Sequence, residues 1–253
     1  MKKKIILVLI FFICFVNSEA FSQKYNVGLL IVATGKYIQF VQPLINSARK
    51  HFCVNHNVTY FIFTDGQLDP APDIIIARAE KLGWPRDTLM RIPTYFKYRD
   101  LLIDMDYLFA TDADMLFVDS VGDEILSDRV ATQHPGFVGR RGTYERNRKS
   151  TAYVQPQEGA HYFAGGFNGG SRDEFLKMAK TITENIMNDL AIGMIALWHD
   201  ESHINRYFID NPPTCILSPS YCYSMNLGAT NGRRLPYEPR LIALDKNHAT
   251  LRG

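Results

Sequence analysis

Two acidic residues, Asp112 and Asp114, follow an apolar run and are separated by one alanine. The run 106–117 has the composition of a strand, on which every second side chain points to the same side, so we expect both carboxylates on one side of the sheet. Mg²⁺ or Mn²⁺ takes one or two protein carboxylates and completes its shell with phosphate oxygens. The pattern therefore predicts a divalent cation that holds a nucleotide diphosphate. The alternative is a surface turn whose aspartates cap backbone NH groups.

A second acidic pair, Asp200 and Glu201, lies in the segment WHDESHINRY at 198–207. Ile204, Tyr207 and Phe208 recur at helical spacing, which predicts a helix with both acids in its first turn. Because the helix dipole favours negative charge there, we expect a carboxylate in this turn to stay ionised. An ionised carboxylate suits a nucleophile, or a group that stabilises positive charge on a sugar ring. An acidic helix end without a catalytic role is the plainer alternative.

The same segment contains a competing motif for zinc. His199 and His203 are spaced i, i+4, and Asp200 occupies the position of the glutamate in H-E-x-x-H metalloproteases. Aspartate is one methylene shorter than that base, and no clear third ligand follows. We therefore keep a zinc metalloprotease only as a remote alternative and interpret His203 as a hydrogen-bonded structural residue.

Length and charge limit the remaining possibilities. The chain has 253 residues, 46% of them hydrophobic, and a formal net charge of +2, so it can bury one sizeable core and needs no second domain. Its basic residues are scattered apart from one cluster, which consists of Arg140, Arg141, Arg146, Arg148 and Lys149. Because no aromatic residues interleave with basic ones in a stripe, we expect no nucleic-acid partner.

The N-terminal segment differs from the rest of the chain. Lysines at 2–4 precede an apolar stretch of twelve residues at 5–16 and a small-x-small site at 18–20. This order predicts a signal peptide over 1–20, with a short membrane anchor as the second interpretation, since a bilayer span needs about 20 apolar residues. We therefore expect a membrane-associated or secretory-route protein. Cys14 lies in this segment, and the odd number of remaining cysteines argues against a disulfide framework.

Strands and helices alternate along the first half of the chain. Apolar runs at 27–33, 58–63 and 74–77 predict strands, and Ile38, Val41, Ile45, Ala48 and Phe52 trace the inner face of a helix. The region 88–104 is predicted to be helical, with a start or kink at Pro93. This alternation predicts an α/β fold with a largely parallel sheet, whose ligands bind at the carboxyl ends of the strands.

Glycines and aromatics mark the second half. The segment YFAGGFNGG at 162–170 predicts a close approach of the backbone to something flat or bulky, such as a sugar ring, or a turn between core elements. Ser171 with Glu174 is typical of a capping box. The helix that follows is predicted to bury Phe175, Met178, Ala179, Ile182 and Ile186.

Six motifs in a fixed order carry a resemblance to a known family. They are HPGF at 134–137, TYER at 143–146, GGFNGGS at 165–171, WHDESHIN at 198–205, LSP at 217–219 and DKNH at 245–248. The chain resembles the histo-blood-group A and B glycosyltransferases and their alpha-1,3-galactosyltransferase relatives (glycosyltransferase family 6). The resemblance extends from about Tyr25 to Arg252.

This resemblance implies a single GT-A catalytic domain at 25–253, with a Rossmann-like, mainly parallel sheet flanked by helices. It also implies a UDP-Gal or UDP-GalNAc donor, Mn²⁺ or Mg²⁺ as the cofactor, and a galactose-terminated glycan acceptor. The implied reaction adds the sugar in alpha linkage at the 3-position of the acceptor, with retention at the anomeric carbon. A catalytically weak, carbohydrate-binding member of the family is the alternative.

The resemblance also implies roles for individual residues. The implied nucleotide and donor contacts are Val32, Tyr37, Arg91, Asp112, Ala113, Asp200, Lys246 and Arg252, with Tyr37 stacking on uracil. Asp112 and Asp114 correspond to the metal pair, and Glu201 to the catalytic carboxylate beneath the sugar. The implied acceptor contacts are His134, Thr143 and Trp198. Lys246 and Arg252 belong to a mobile tail, 245–253, that closes over the diphosphate.

Ala164, Gly165 and Gly166 correspond to the pocket around the 2-position of the donor sugar. Because glycine at the last of these positions accompanies GalNAc use in the family, GalNAc is expected over Gal. Two departures leave the acceptor open: Gly35 replaces a larger residue near the uridine, and Ser224 replaces an acceptor-binding aspartate.

Overall fold

The computed structural model describes residues 23–224 and 236–252, except for the side chains of His248 and Arg252. In chain order, the strands and helices of these residues are β1 (Asn26–Val32), α1 (Ile38–His51), β2 (Asn57–Thr64), β3 (Ile74–Arg78), α2 (Arg86–Leu89), α3 (Arg91–Lys97), β4 (Tyr107–Asp112), β5 (Met115–Phe117), β6 (Arg129–Gln133), β7 (Phe163–Ser171), α4 (Arg172–Ala191), α5 (Asp200–Asp210), β8 (Cys215–Leu217), β9 (Tyr223–Ser224), β10 (Leu241–Ala243) and α6 (His248–Arg252). Short 3₁₀ turns lie at Gly35–Tyr37, Arg99–Leu102, Asp123–Ile125, Pro135–Phe137 and Pro219–Cys222.

The main sheet has seven strands in the order β3-β2-β1-β4-β7-β6-β8. The first four are parallel, β7 runs antiparallel to both β4 and β6, and β8 is parallel to β6. A smaller sheet has the order β5-β10-β9. The predicted α/β fold with a mainly parallel sheet is therefore confirmed.

Alternating side chains of β1 divide the core into two layers. Leu29 and Ile31 pack with α1 on one face, whereas Leu30 packs with α3, α4 and α5 on the other. Because β1 is covered on both faces, its sequence is an unbroken apolar run and carries no polar alternation. The carboxyl end of this buried strand is the edge at which ligands of such sheets bind.

The helix after β1 agrees with its prediction, because α1 buries Val41, Leu44, Ile45 and Ala48. The region 88–104 is less regular than predicted: α2, α3 and a 3₁₀ turn divide it, and Pro93 lies in the first turn of α3, where a missing NH costs little. The strand predicted over 106–117 is also divided. Residues 113–114 form a turn because β5 leaves the main sheet to pair with β10.

The glycine-rich segment forms the interior strand β7, so the alternative of a turn between core elements is wrong. Each residue from Phe163 to Gly170 is buried. A Cβ added at Gly169 would lie 2.4 Å from the carbonyl oxygen of Leu108, and one at Gly170 would lie 2.0 Å from that of Asp128. These glycines therefore permit a close approach between strands.

The predicted capping box does not form. Ser171 precedes α4 without a side-chain cap hydrogen bond, and Glu174 instead accepts a 2.9 Å hydrogen bond from Arg129. The predicted apolar face is confirmed, because all five of its residues are buried: Phe175, Met178, Ala179, Ile182 and Ile186.

No helix within 23–224 and 236–252 is long and apolar enough to cross a bilayer. The segment 1–20, for which a signal peptide or anchor is predicted, lies outside the described residues. Of the described cysteines, Cys53, Cys215 and Cys222 are free thiols.

Candidate active site

A cavity of about 280 Å³ opens at the carboxyl ends of β1 and β4. Its walls include seven residues that the sequence placed at the nucleotide and the metal: Val32, Tyr37, Arg91, Asp112, Ala113, Asp114 and Lys246. The other wall residues are Thr34, Lys81, Trp84, Asp87, Thr88 and Leu251. The fold thus brings together residues that are up to 219 positions apart in the chain, as far as Val32 and Leu251.

The aspartate pair is arranged differently from the expected strand geometry. Asp112 ends β4, whereas Asp114 lies in the following turn and is almost fully buried. Arg91 forms an ion pair with Asp112, and Lys246 forms one with Asp114. The ammonium of Lys246 also lies 5.2 Å from the ring centroid of Tyr37. A cation from the protein therefore stands beside each carboxylate.

The donor set fits a hard divalent cation held jointly with a diphosphate. Within the described residues no three His, Cys, Asp or Glu side chains are grouped for a metal, so the protein would supply only this carboxylate pair. One or two carboxylates with phosphate oxygens is the usual arrangement for Mg²⁺. Oδ1 of Asp112 is the oxygen that contacts Arg91 in this ion pair, so a metal ion bound there would take the place of the guanidinium.

Arg91 connects the nucleotide cavity to the second acidic pair. Its Nε donates a 2.8 Å hydrogen bond to Oδ2 of Asp200, and its NH2 donates to the carbonyl oxygen of Gly165 at 3.3 Å. Burial raises the pKa of Asp200, although the neighbouring guanidinium opposes that rise. Oδ1 of Asp200 is buried without a hydrogen-bond partner, which suits an acceptor for a sugar hydroxyl.

Glu201 is fixed by two hydrogen bonds. The Tyr162 hydroxyl donates to Oε1 at 2.8 Å, and the backbone NH of Gly165 donates to Oε2 at 2.9 Å. Burial nevertheless raises the pKa of Glu201 to about 7, because desolvation outweighs both bonds. The expectation of a fully ionised carboxylate is therefore wrong for the ligand-free protein at neutral pH, although its place in the first turn of α5 is as predicted.

The start of α5 excludes the geometry of a zinc motif. His199 precedes the helix with φ 53° and ψ −126°, so it does not share a helical face with His203. Its ring instead contacts Trp84, with centroids 5.6 Å apart. His203 is buried, but neither ring nitrogen has a hydrogen-bond partner, which corrects its interpretation as a hydrogen-bonded residue. Burial lowers its pKa to about 4, so the ring is neutral.

The three predicted acceptor residues lie on the side of Glu201 that Tyr162 covers. The Trp198 indole NH donates a 2.9 Å hydrogen bond to Thr143, and 46% of Trp198 is exposed. The centroid of the His134 ring lies 5.7 Å from that of the Tyr162 ring. Burial lowers the pKa of His134 to about 4. A neutral imidazole and an exposed indole can both contact a sugar.

The predicted donor-sugar pocket lies on β7, beside both acidic pairs. Ala164 is buried, and a Cβ added at Gly165 would lie 3.4 Å from that of Glu201. A Cβ added at Gly166 would lie 2.9 Å from the sulfur of Cys222 and 3.5 Å from Oδ2 of Asp112. Gly166 therefore separates Asp112 from a cysteine that the sequence did not single out.

Two further residues support this site. Asn205 holds α5 against β7: its side chain accepts from the NH of Phe163 and donates to the carbonyl oxygens of Phe163 and Glu201. Asn205 lies in the WHDESHIN motif, and Tyr162 directly precedes the glycine-rich segment, so proximity to those motifs is the signal that could have identified both. Nothing in the sequence singled out Trp84.

The C-terminal tail lies against the cavity. Leu251 is buried and lines it, and the Lys36 ammonium donates a 2.8 Å hydrogen bond to the carbonyl oxygen of Thr250. Arg252 is in α6, but its side chain is outside the described part of the chain. Of the two residues that depart from the family pattern, Gly35 adopts φ +57° next to Lys81, which lines the cavity, and Ser224 ends β9, where it pairs with Ala243.

Comparison with known proteins agrees with the motif pattern. The sequence model of glycosyltransferase family 6 matches residues 9–253. The histo-blood group ABO system transferase 1 of Rattus norvegicus is 36% identical over 251 residues, which cover 94% of this chain and 71% of the relative. The human globoside alpha-1,3-N-acetylgalactosaminyltransferase 1 is 32% identical over 246 residues, which cover 90% of this chain and 69% of the relative. The human alpha-1,3-galactosyltransferase 2 is 28% identical over 254 residues, covering 94% and 73%. The resemblance inferred from the six motifs is thereby confirmed, and the chain belongs to glycosyltransferase family 6.

Proposed function

We propose that the protein transfers GalNAc, or Gal, from a UDP-sugar to the 3-hydroxyl of a galactose-terminated glycan. The product carries an alpha linkage, with retention at the anomeric carbon. The observation that carries this proposal is the continuous connection from the nucleotide cavity through Arg91 to Asp200 and Glu201. Relatives named for alpha-1,3 transfer of GalNAc and galactose support the same reaction.

In this proposal the cavity binds the UDP half of the donor. Tyr37 stacks on uracil, and the backbone at Val32 contacts it at the end of β1. Asp112 and Asp114 would hold Mn²⁺ or Mg²⁺, which would neutralise charge on the departing diphosphate. Arg91 and Lys246 place two more positive charges on the same side, where they stabilise the charge that develops as UDP leaves.

The sugar half then lies between β7 and the start of α5. The unpaired Oδ1 of Asp200 accepts a hydrogen bond from a hydroxyl of the donor sugar. Ionised Glu201 faces the anomeric carbon from below, either forming a glycosyl ester or stabilising an oxocarbenium ion. As the bond from that carbon to UDP breaks, its electron pair leaves with UDP. The acceptor oxygen forms the new bond on the original face, which in the ester route breaks the bond to Glu201, and its proton passes to a phosphate oxygen of UDP.

Gly166 supports GalNAc as the preferred sugar. An acetamido group needs more space than a hydroxyl, and a side chain at position 166 would narrow the pocket beside Asp112, where a Cβ would already lie 2.9 Å from the sulfur of Cys222. The smaller Gal also fits, so the preference must come from contacts that the acetamido group makes.

We also propose that residues 1–20 direct the protein to a membrane or a secretory route. The support is the sequence of this segment: a basic start, an apolar stretch and a small-x-small site. Recovery of a protein that begins after residue 20 would identify a cleaved signal peptide, whereas an intact segment in the membrane fraction would identify an anchor.

The transfer reaction is tested by incubating the protein with UDP-GalNAc or UDP-Gal, Mn²⁺ and a panel of galactosides. NMR of the product identifies the linkage and the anomeric configuration. We expect an alpha-1,3 product with wild type and none with Glu201→Gln. Donor binding without transfer to any galactoside, and without hydrolysis of the donor, would instead identify a carbohydrate-binding protein.

A further inference from the structure

Five basic residues lie within ten positions of the loop between β6 and β7. All five side chains are exposed: Arg140, Arg141, Arg146, Arg148 and Lys149. Within the described part of the chain, no carboxylate forms a salt bridge with any of them. The one acidic residue of the segment, Glu145, is buried, and it accepts hydrogen bonds from the backbone NH groups of Asn147 and Leu197. The loop therefore presents positive charge that the protein itself does not neutralise.

The first two of these residues are held in place by neutral groups. Arg140 donates to the carbonyl oxygen of Gly136, and its guanidinium lies 5.4 Å from the ring centroid of Phe137. Arg141 donates to the carbonyl oxygens at positions 155 and 156, and its guanidinium lies 4.9 Å from the ring of Tyr144. Carbonyl bonds and aromatic contacts fix a guanidinium but leave its charge available to an anion.

Both arginines are one aromatic ring away from Tyr162. The ring centroids of Phe137 and Tyr144 lie 4.9 Å and 5.0 Å from that of Tyr162, whose hydroxyl is bonded to Glu201. A Cβ added at Gly142 would lie 2.1 Å from the Tyr162 ring, so the backbone directly after Arg141 is pressed against it. The next residue, Thr143, accepts the hydrogen bond of Trp198. The charged surface is thus continuous with the acceptor side of the candidate active site.

We propose that Arg140 and Arg141 bind an oxyanion carried by the acceptor, on the reducing side of its terminal galactose. This inference rests on the proposed function and adds a substrate class to it: an acceptor with a phosphate, sulfate or carboxylate. Guanidinium groups match the geometry of these anions with paired hydrogen bonds. When the terminal galactose is held at His134 and Trp198, the two arginines lie beyond it. They are farther from Glu201 by one aromatic ring.

A matched pair of acceptors tests the proposal. One is a β-galactoside with a neutral propyl aglycone, and the other carries a propyl phosphate at the same position. We expect wild type to use the phosphate acceptor with about tenfold higher kcat/KM at low salt, since two exposed ion pairs each contribute a modest free energy. This preference should fall in 0.5 M NaCl as the charges are screened. It should also fall towards unity in Arg140→Gln/Arg141→Gln.

A charge-matched control is Lys177→Gln/Lys180→Gln, which removes two exposed cations from α4 and should keep the preference. Equal kcat/KM for the two acceptors in wild type, or a preference that survives in the arginine variant, would overturn the proposal. A third outcome would assign the surface to a membrane and overturn the proposal. In that case wild type uses the two acceptors equally and binds phosphatidylglycerol vesicles, and the arginine variant does not bind the vesicles. Transfer to either galactoside tests the proposed function separately, because the absence of transfer to both would reject that function whatever the loop binds.

Discussion

Tyr162 and Glu201 are joined by a 2.8 Å hydrogen bond, in which the phenol donates to the carboxylate that faces the donor-sugar pocket. Because this bond favours the ionised carboxylate, it holds the pKa of Glu201 below the value that burial alone would give. Tyr162 is therefore a positioning residue that also sets the charge of the proposed catalytic group.

Tyr162→Phe removes that donor and should raise the pKa of Glu201 above about 7. Since the ionised form is the reactive one, we expect kcat to fall about tenfold at pH 7, with the acidic limb of the pH–rate profile moved to higher pH. Rates measured from pH 5 to 9 check this. Tyr144→Phe is the control, because its hydroxyl donates to the carbonyl oxygen of His161 and does not contact Glu201. A fall in kcat with an unmoved limb would contradict the assignment.

Glu201 should also make stability depend on pH. Its pKa is about 7 in the folded protein and about 4.5 when unfolded, so the folded state holds the proton more tightly. This contribution to stability is complete below pH 4.5 and is lost as the pH rises through 7. Glu201→Gln should therefore raise Tm by several degrees at pH 8 and have little effect at pH 4.5. Calorimetry at the two pH values decides this; an equal shift at both would exclude burial of the charge as the cause.

Transfer should require a divalent cation. Once Arg91 and Lys246 turn to the diphosphate, Asp112 and Asp114 would repel it unless a metal ion lies between them. Asp114→Asn should lose at least ~100-fold in kcat/KM, whereas Asp119→Asn, an exposed aspartate beyond β5, should match wild type. In the absence of donor, Lys246→Met should bind Mn²⁺ more tightly, because it removes the ammonium paired with Asp114. Mn²⁺ titration followed by EPR checks the second expectation, and full turnover in excess EDTA would contradict the first.

The donor preference should depend on position 166. A Cβ there would meet the Cys222 sulfur at 2.9 Å, so Gly166→Ala should lower Tm and shift the kcat/KM ratio towards UDP-Gal by about tenfold. Cys222→Ala in the double variant should restore Tm without restoring the use of UDP-GalNAc. A wild-type preference for UDP-Gal, or an unchanged ratio in Gly166→Ala, would rule out this pocket.

Truncation after Asp245 should separate folding from transfer. It removes Lys246, Leu251 and Arg252, of which the first two line the nucleotide cavity. We expect Tm to change little, because the seven-stranded sheet is left intact, and transfer to fall by about 10- to 100-fold as closure over the diphosphate is lost. Lower Tm with intact transfer would show that this segment stabilises the fold and does not act as a lid.

The apolar strands could be predicted because a strand that is buried on both faces has a continuous hydrophobic sequence, as β1 and β2 do. Strand β7 could not be predicted in this way. Glycine has low β propensity, and it has no side chain that could show the two-residue alternation of a strand. The prediction of a capping box was wrong for a different reason. Arg129, which is 45 positions from Glu174 in the sequence, donates a hydrogen bond to the Glu174 carboxylate in the folded protein.

Local spacing placed Asp200 and Glu201 at the start of a helix, and motif order related the remaining site residues to one family. Neither could predict that Arg91 would lie between Asp112 and Asp200, because three residues so distant in sequence meet only when the sheet forms. Nor could the helix dipole predict the pKa of Glu201, which depends on desolvation by β7 and its neighbours.

The position of Arg91 makes the two ends of the site energetically dependent on each other. Its guanidinium is shared between Asp112, at the proposed metal, and Asp200, at the proposed sugar. A cation at Asp112 would shift Arg91 towards Asp200, whereas a sugar hydroxyl at Asp200 would shift Arg91 towards Asp112. By thermodynamic linkage each event must change the affinity for the other by the same factor. We therefore expect the affinity for a metal at Asp112 to change when a sugar occupies Asp200, and the affinity for the sugar to change equally when the metal is bound.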